Sequence, residues 1–161
     1  MGHRADALAA RVEEGAAALE AFARGLSDAE WRTTVSARDP RPVGVVVHHV
    51  GEMYPIEIEV ARTVASGKPV AGVTWEAVGE LNAKHTTDHA HVTKEEALAH
   101  LRSRSKAAAE AVRQFTDAEL DTAAPFSLSF DAPMTAQFVI EDHALRHAWH
   151  HLARIRAAVG R

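Results

Sequence analysis

Cysteine is absent from this chain of 161 residues. Disulfide bonds and thiolate metal ligands are therefore excluded, and any thiol chemistry requires a thiol supplied by a small molecule. Basic residues are also few, since 18 Lys and Arg against 22 Asp and Glu give a net charge of −4. Without a clustered basic patch, the composition argues against binding to nucleic acid or to an anionic membrane surface.

Long hydrophobic runs are missing as well. No apolar stretch approaches the roughly 20 residues that span a bilayer. The N-terminus, from Met1 to Asp6, leads into an amphipathic segment without the apolar core of a signal peptide. We therefore expect a cytoplasmic protein that does not bind a membrane. The length predicts a single domain over residues 1–161, because a chain of this size buries one continuous core.

Apolar residues recur at helical spacing along most of the chain. A valine run at 43–47 also suits a strand, but its periodicity continues to Val64, beyond ordinary strand length, and favours a helix. The pattern predicts an all-α four-helix bundle with long inter-helix loops, whose ligand sites lie between facing helices. The expected helices are 5–25, 43–66, 74–91, 93–115 and 134–159, and the expected loops are 33–42, 66–73 and 121–133.

The chain contains eleven histidines, and four of them lie in the final predicted helix. Residues four apart on a helix have Cβ atoms about 5–6 Å apart, close enough for two imidazoles to hold one metal ion. Two such pairs occur, His143/His147 and His147/His151. A third ligand must come from another helix, and the His48-His49 doublet can supply it.

A helical wheel separates inward from outward histidines. It selects His49, His147 and His151, which lie on or beside apolar arcs. Three buried imidazoles without partners would cost several kcal/mol, and a metal ion removes that cost by occupying their lone pairs. Each residue alone is more often a hydrogen-bonded core histidine or a solvated one. Neutral imidazoles suit Zn, Ni, Fe and Cu alike, so the sequence does not identify the metal. The wheel places His48, His143 and His150 outside the arcs.

A further i,i+4 pair, His85 and His89, lies about one turn after Asn82. We expect these three residues to line the substrate side of the pocket, with a solvated stripe as the alternative. Glu52 and Glu141–Asp142 are candidates to orient ligand imidazoles, with surface ion pairing as the alternative. The histidines expected at the surface without a further role are His3, His91 and His100.

The segments Val43–Glu52 and His147–Ile155 resemble the two signatures of the DinB/YfiT-like metalloprotein superfamily. Members have one histidine in helix two, before a hydrophobic, a small and an acidic residue, and an H-x-x-x-H pair in helix four. His49 matches the first position, and His147 and His151 match the pair. The resemblance covers nearly the whole chain. It implies a four-helix bundle that binds a divalent metal through three histidines and leaves positions open for water or substrate.

The resemblance also implies thiol chemistry, because the superfamily includes S-transferases that use bacillithiol, mycothiol or glutathione, and mycothiol-dependent maleylpyruvate isomerase. We therefore expect a divalent metal (Zn, Ni or Fe) and a low-molecular-weight thiol, with mycothiol favoured by the arginine- and alanine-rich composition. The expected partner is a small electrophilic substrate. A metal-dependent hydrolase and a non-catalytic metal or small-molecule binder are the alternatives. An exposed bundle face would allow a homodimer.

Overall fold

The structure, a computed structural model, describes residues 2–161 and is mainly helical. Four short strands form two separate antiparallel hairpins. The strands are β1 (Thr34–Ser36), β2 (Asp39–Pro42), β3 (Ala123–Phe126) and β4 (Ala132–Thr135). The helices are α1 (His3–Arg24), α2 (Asp28–Trp31), α3 (Val43–Ala65), α4 (Trp75–Asp88), α5 (Lys94–Val112), α6 (Asp117–Asp121), α7 (Ala136–Val139) and α8 (Arg146–Ala158). A 3-10 turn, Ser127–Ser129, lies between β3 and β4.

Four helical segments make the bundle: α1, α3, α5 and a final run in which the π-helical segment Ile140–Leu145 joins α7 to α8. The α3 and α5 helices pack along each other, and α1 packs against both α5 and α8. Their shared core includes Leu19, Val46, Leu101 and Ile155, all with no exposed surface. The predicted four-helix bundle is confirmed. Within residues 2–161, no helix is long and apolar enough to cross a membrane.

The valine run at 43–47 is helical, as its periodicity predicts, because α3 continues from Val43 through Pro55 to Ala65. All five residues of this run are buried. Their burial outweighs the modest helix propensity of β-branched side chains. Close packing shows at Gly44, where an added Cβ would lie 2.3 Å from the Trp31 ring. The glycine thus lets α2 and α3 approach each other.

Two segments predicted as loops contain strands instead. The first loop, 33–42, holds the β1–β2 hairpin, and the second, 121–133, holds the end of α6, all of β3 and the start of β4. Each strand has three or four residues, too few for an alternating pattern to stand out from helical periodicity. Val70, in the third predicted loop, makes an isolated bridge to Phe126. The hairpins remain minor parts of a helical fold.

The α4 helix is attached differently from the bundle helices. Thr74 caps its N-terminus by accepting a hydrogen bond from the Ala77 N–H. His85 is its single buried residue, whereas Trp75 is 64% exposed and Leu81 42% exposed. The α4 helix therefore buries little apolar surface, and His85 is the residue through which it enters the buried part of the bundle.

Candidate metal centre

His49, His147 and His151 come together between α3 and α8. One ring nitrogen of each lies within 4.8 Å of the corresponding nitrogens of the other two. The centroid of the His49 ring lies 5.0 Å from that of His147 and 5.5 Å from that of His151. The centroids of the His147 and His151 rings lie 4.8 Å apart. We call these residues the first triad. The structure brings all three predicted ligands together, and their role as ligands stays a prediction.

Burial disfavours protonation of two residues of the first triad, His49 and His151. It lowers the pKa of His49 to about 2, with the nearby charges of His147 and Arg41 adding to the effect. Burial lowers the pKa of His151 as well. Both rings are therefore neutral near pH 7, which is the form that binds metal ions.

The first triad also leaves polar atoms without partners. Nδ1 of His49 and Nδ1 of His151 are buried and accept or donate no hydrogen bond within the described chain. An unsatisfied buried polar group costs about 1–3 kcal/mol. Three converging imidazoles, of which His49 and His151 are neutral and each have an unpartnered nitrogen, fit a divalent transition-metal ion. The donor set alone suits several such metals.

Glu57 extends the site from α3. Its Oε1 lies 2.8 Å from Nδ1 of His147, and the residue is only 6% exposed. A carboxylate at Nδ1 orients an imidazole and leaves Nε2 free for a metal. Sequence reasoning missed Glu57. Its position eight residues after His49 could have identified it, because that spacing places both side chains on similar faces of the helix.

The acidic residues predicted to orient the ligands have other contacts. Glu52 lies 2.8 Å from Nε2 of His100 on α5. Glu141 and Asp142 each form an ion pair with an arginine at 3.1 Å. The structure therefore supports the ion-pairing alternative for Glu141 and Asp142, and it gives Glu52 a histidine outside the first triad.

A π-helical segment changes the faces presented by the final helix. A π turn contains one more residue than an α turn, so residues before and after it no longer share one helical wheel. His143, which the wheel placed outward, lies at the cavity beside the first triad, with its ring 5.5 Å from that of Phe126. Phe138 and Trp149, which a wheel for one continuous α-helix places on its apolar arc, are 40% and 39% exposed.

A cavity of about 520 Å³ adjoins the first triad. Its volume lies within the range of about 300–1,000 Å³ that is usual for small-ligand pockets. Asn82 lines it, and Oδ1 of this residue is buried without a hydrogen-bond partner. Arg41 also lines it, held by Asp39 through contacts of 2.7 and 2.8 Å. The apolar wall includes Met53, Ile56, Val60, Trp75, Val78 and Phe126.

A second cluster of histidines, which we call the second triad, consists of His48, His85 and His89. Nδ1 of His48 lies 2.9 Å from Nε2 of His85. The His48 ring also stacks on His89, with centroids 4.0 Å apart, and on His100, at 4.2 Å and nearly parallel. Burial lowers the pKa of His48 to about 3 and that of His85 to about 4.

These positions correct two expectations. The wheel placed His48 outside the apolar arc and the sequence placed His100 at the surface, but His48 is 6% exposed and His100 is half-buried. The reason is that α4 and α5 cover this face of α3. Of the three residues predicted to line the substrate side, Asn82 faces the cavity, whereas His85 and His89 lie in the second triad.

The bundle and the first triad define a helical protein with a candidate metal centre beside a ligand-sized cavity. The sequence matches the DinB superfamily over residues 11–155, and the chain belongs to that superfamily, as its motifs predict. Its structure is similar to that of YfiT from Bacillus subtilis, described as a probable metal-dependent hydrolase with an unusual four-helix bundle topology. The identity is 17%, the TM-score is 0.74, and the match covers 99% of this chain and 90% of that one. None of the curated proteins matches.

Proposed function

We propose that this chain is a metal-dependent enzyme that uses a low-molecular-weight thiol to act on a small electrophile, by S-transfer or isomerisation. The observation that carries the proposal is the meeting of His49, His147 and His151 beside a cavity of about 520 Å³. A divalent metal held by three imidazoles keeps an open position and lowers the pKa of a thiol or water bound there. The absence of cysteine requires that the thiol come from a small molecule.

The residues around the first triad have distinct tasks in this proposal. His49 and His151 stay neutral because burial opposes their protonation. The carboxylate of Glu57, 2.8 Å from Nδ1 of His147, would orient that ring toward the metal once the two groups align. Asn82 offers an unpartnered amide oxygen to an N–H or O–H group of the substrate.

Thiol binding is the direct test. Protein loaded with Zn²⁺ should bind mycothiol, bacillithiol or glutathione saturably, as measured by isothermal titration calorimetry. Binding should disappear after chelation with EDTA and in His151→Ala, because both remove the metal that holds sulfur. The matched control is His91→Ala, an exposed histidine outside both triads, which should bind like the unmodified protein. Thiol binding that survives chelation would contradict the proposal.

Metal-dependent hydrolysis is the second candidate function. It is favoured by Glu57, whose Oε2 is buried and unpartnered at the cavity and could accept a proton from an attacking water. Zn²⁺-loaded protein would then hydrolyse nitrophenyl esters or amides without thiol, and Glu57→Gln would abolish turnover. If no thiol binds and this hydrolysis occurs, the hydrolase replaces the transferase. If neither occurs despite stoichiometric metal, the chain is a metal or small-molecule binder.

A further inference from the structure

The second triad joins two parts of the molecule that otherwise touch little. His48 lies in the middle of the buried first half of α3, His85 is the single buried residue of α4, and His89 immediately follows the last residue of α4. Ligand nitrogens of the three residues lie within 4.8 Å of one another. The first triad does not use any of these residues, and the proposed reaction assigns them no task.

We propose that His48, His85 and His89 bind a second divalent transition-metal ion, which fastens α4 to α3. Three imidazoles with one open position form a common site for Zn²⁺ and related ions. Two nitrogens bound tetrahedrally at about 2.0–2.1 Å from one ion lie roughly 3.3 Å apart. The contact of 2.9 Å between His48 and His85 must therefore open by only a few tenths of an ångström.

A hydrogen bond between His48 and His85 is the competing explanation of this contact. It accounts for Nδ1 of His48 and Nε2 of His85, and Nδ1 of His85 stays buried without a partner under either explanation. The hydrogen bond gives no role to the ring nitrogens of His89, whose ring stacks on that of His48 at 4.0 Å and lies 4.7 Å from that of His85. A metal ion accounts for the convergence of all three rings, since each would donate one lone pair to the same centre.

Residues around His48 hold its ring in a defined plane. The His100 ring stacks on it with an interplanar angle of 7°, and Glu52 lies 2.8 Å from Nε2 of His100. Gly51 makes this stacking possible, because a Cβ there would lie 2.8 Å from Cδ2 of His100. A ring fixed before binding loses less conformational entropy when it coordinates a metal.

A metal ion in the second triad would also affect one wall of the cavity. Trp75, Val78 and Asn82 all belong to α4 and all line the cavity beside the first triad. Apolar burial holds this helix only weakly, since His85 is its single buried residue. A metal ion in the second triad would supply the missing attachment and keep that wall in place.

Metal stoichiometry tests the second site. Metal-free protein titrated with Zn²⁺ and analysed by mass spectrometry of the intact chain should bind about two ions, given two three-histidine sites. His85→Ala and His89→Ala should each bind one ion less, and His147→Ala should keep the ion of the second triad. His91→Ala, two residues beyond His89 and exposed, is the matched control and should bind two. Circular dichroism confirms that each variant is folded.

The two sites give separable outcomes. If the protein binds one ion, and His147→Ala loses it while His85→Ala keeps it, the second site is wrong and the proposed function stands. If His85→Ala loses the single ion and His147→Ala keeps it, the second site stands and the proposed function fails. An unchanged count in both His85→Ala and His89→Ala overturns the assignment of the second triad.

Limited proteolysis tests the attachment of α4. Lys84 is exposed, precedes His85, and offers trypsin a cleavage site within α4. At a Zn²⁺ concentration 100 times the dissociation constant, the open population and hence the cleavage rate should fall by up to about 100-fold. Zn²⁺ should protect the unmodified protein and His147→Ala from cleavage, but not His89→Ala. The His89→Ala variant is suitable because it keeps Lys84 and His85, the residues on either side of the cleaved bond. Equal cleavage with and without Zn²⁺ in His147→Ala would overturn the fastening role.

Discussion

At the scale of single residues, two neighbouring histidines serve different clusters because consecutive helix positions point about 100° apart. His49 faces His147 and His151 on α8, whereas His48 stacks on His89 and His100. One doublet thus contributes to two histidine clusters on different sides of α3. The partner of each ring nitrogen determines which atom remains for a metal, and a carboxylate 2.8 Å from Nδ1 of His147, that of Glu57, would leave Nε2 of that ring.

Glu57→Gln should weaken metal binding by the first triad by about 10–100-fold, the usual effect of changing a group that orients a metal ligand. The amide has nearly the same size but loses the negative charge that lies 2.8 Å from Nδ1 of His147. The measurement is the Zn²⁺ dissociation constant, determined by competition with a chromogenic chelator. The experiment uses a His85→Ala background so that the first triad alone is titrated.

The matched control for this change is Glu59→Gln. Glu59 lies on the same helix two residues later and is exposed, so its replacement should leave the Zn²⁺ dissociation constant unchanged. Equal affinities in Glu57→Gln and Glu59→Gln would show that Glu57 does not position His147. A loss in both variants would point to the overall charge of α3 instead.

At the scale of elements, the contact between α3 and α5 depends on the absence of a side chain at Gly51. An added Cβ would lie 2.8 Å from His100 and 3.1 Å from backbone atoms of Leu101, and the backbone of a buried helix cannot move aside cheaply. Gly51→Ala should therefore lower the free energy of unfolding by about 1–3 kcal/mol, as is usual for overpacking. Urea denaturation followed by circular dichroism measures this change.

Gly79→Ala is the matched helical control. Gly79 lies within α4 and an added Cβ would meet nothing within 4 Å. Alanine has the higher helix propensity, so the free energy of unfolding should stay the same or rise by up to about 1 kcal/mol. If Gly51→Ala also raised the free energy of unfolding, the contact between α3 and α5 would not depend on the absence of a side chain at Gly51.

The long elements could be predicted from the sequence because their periodicity persists over many turns. The α3 helix is an example, since the apolar spacing through Val64 outweighs the strand preference of its valines. The three candidate ligands in the first triad followed from the same reasoning. The π-helical segment could not be predicted, because its extra residue leaves no mark in composition, and the faces of His143 and Trp149 were therefore misjudged.

The second triad was missed for a different reason. A helical wheel describes one helix and carries no information about what covers its outer face. His48 is buried by α4 and α5, and α4 itself is mostly exposed and meets His48 through His85 and His89. The two short hairpins were also not predicted. Strands of three or four residues pair only where the bundle supports them, and the sequence of each strand does not show that support.

At the scale of the whole molecule, buried histidines make the metal-free fold sensitive to acid. The pKa of His49 is about 2 in the folded chain against an ordinary value of 6.5. Below pH 6.5 the unfolded chain therefore binds more protons than the folded chain, so the free energy of unfolding falls as the pH decreases. The loss of stability begins near pH 6.5, the pKa of His49 in the unfolded chain, and continues as the pH falls toward the pKa in the folded chain. His151 acts in the same direction, since burial lowers its pKa too.

Urea denaturation of EDTA-treated protein at pH 7.5 and pH 5.0 measures this effect. At pH 5.0, which is 1.5 units below the ordinary value, His49 alone should account for about 2 kcal/mol of lost stability, at about 1.4 kcal/mol per unit. Between pH 7.5 and pH 5.0, the free energy of unfolding should change less in His49→Gln than in the unmodified protein, by up to that amount, because glutamine does not titrate. His91→Gln should leave the difference unchanged, since His91 is exposed in both states. An equal pH dependence in the two variants would mean that His49 accepts a proton in the folded chain as readily as it does in the unfolded one.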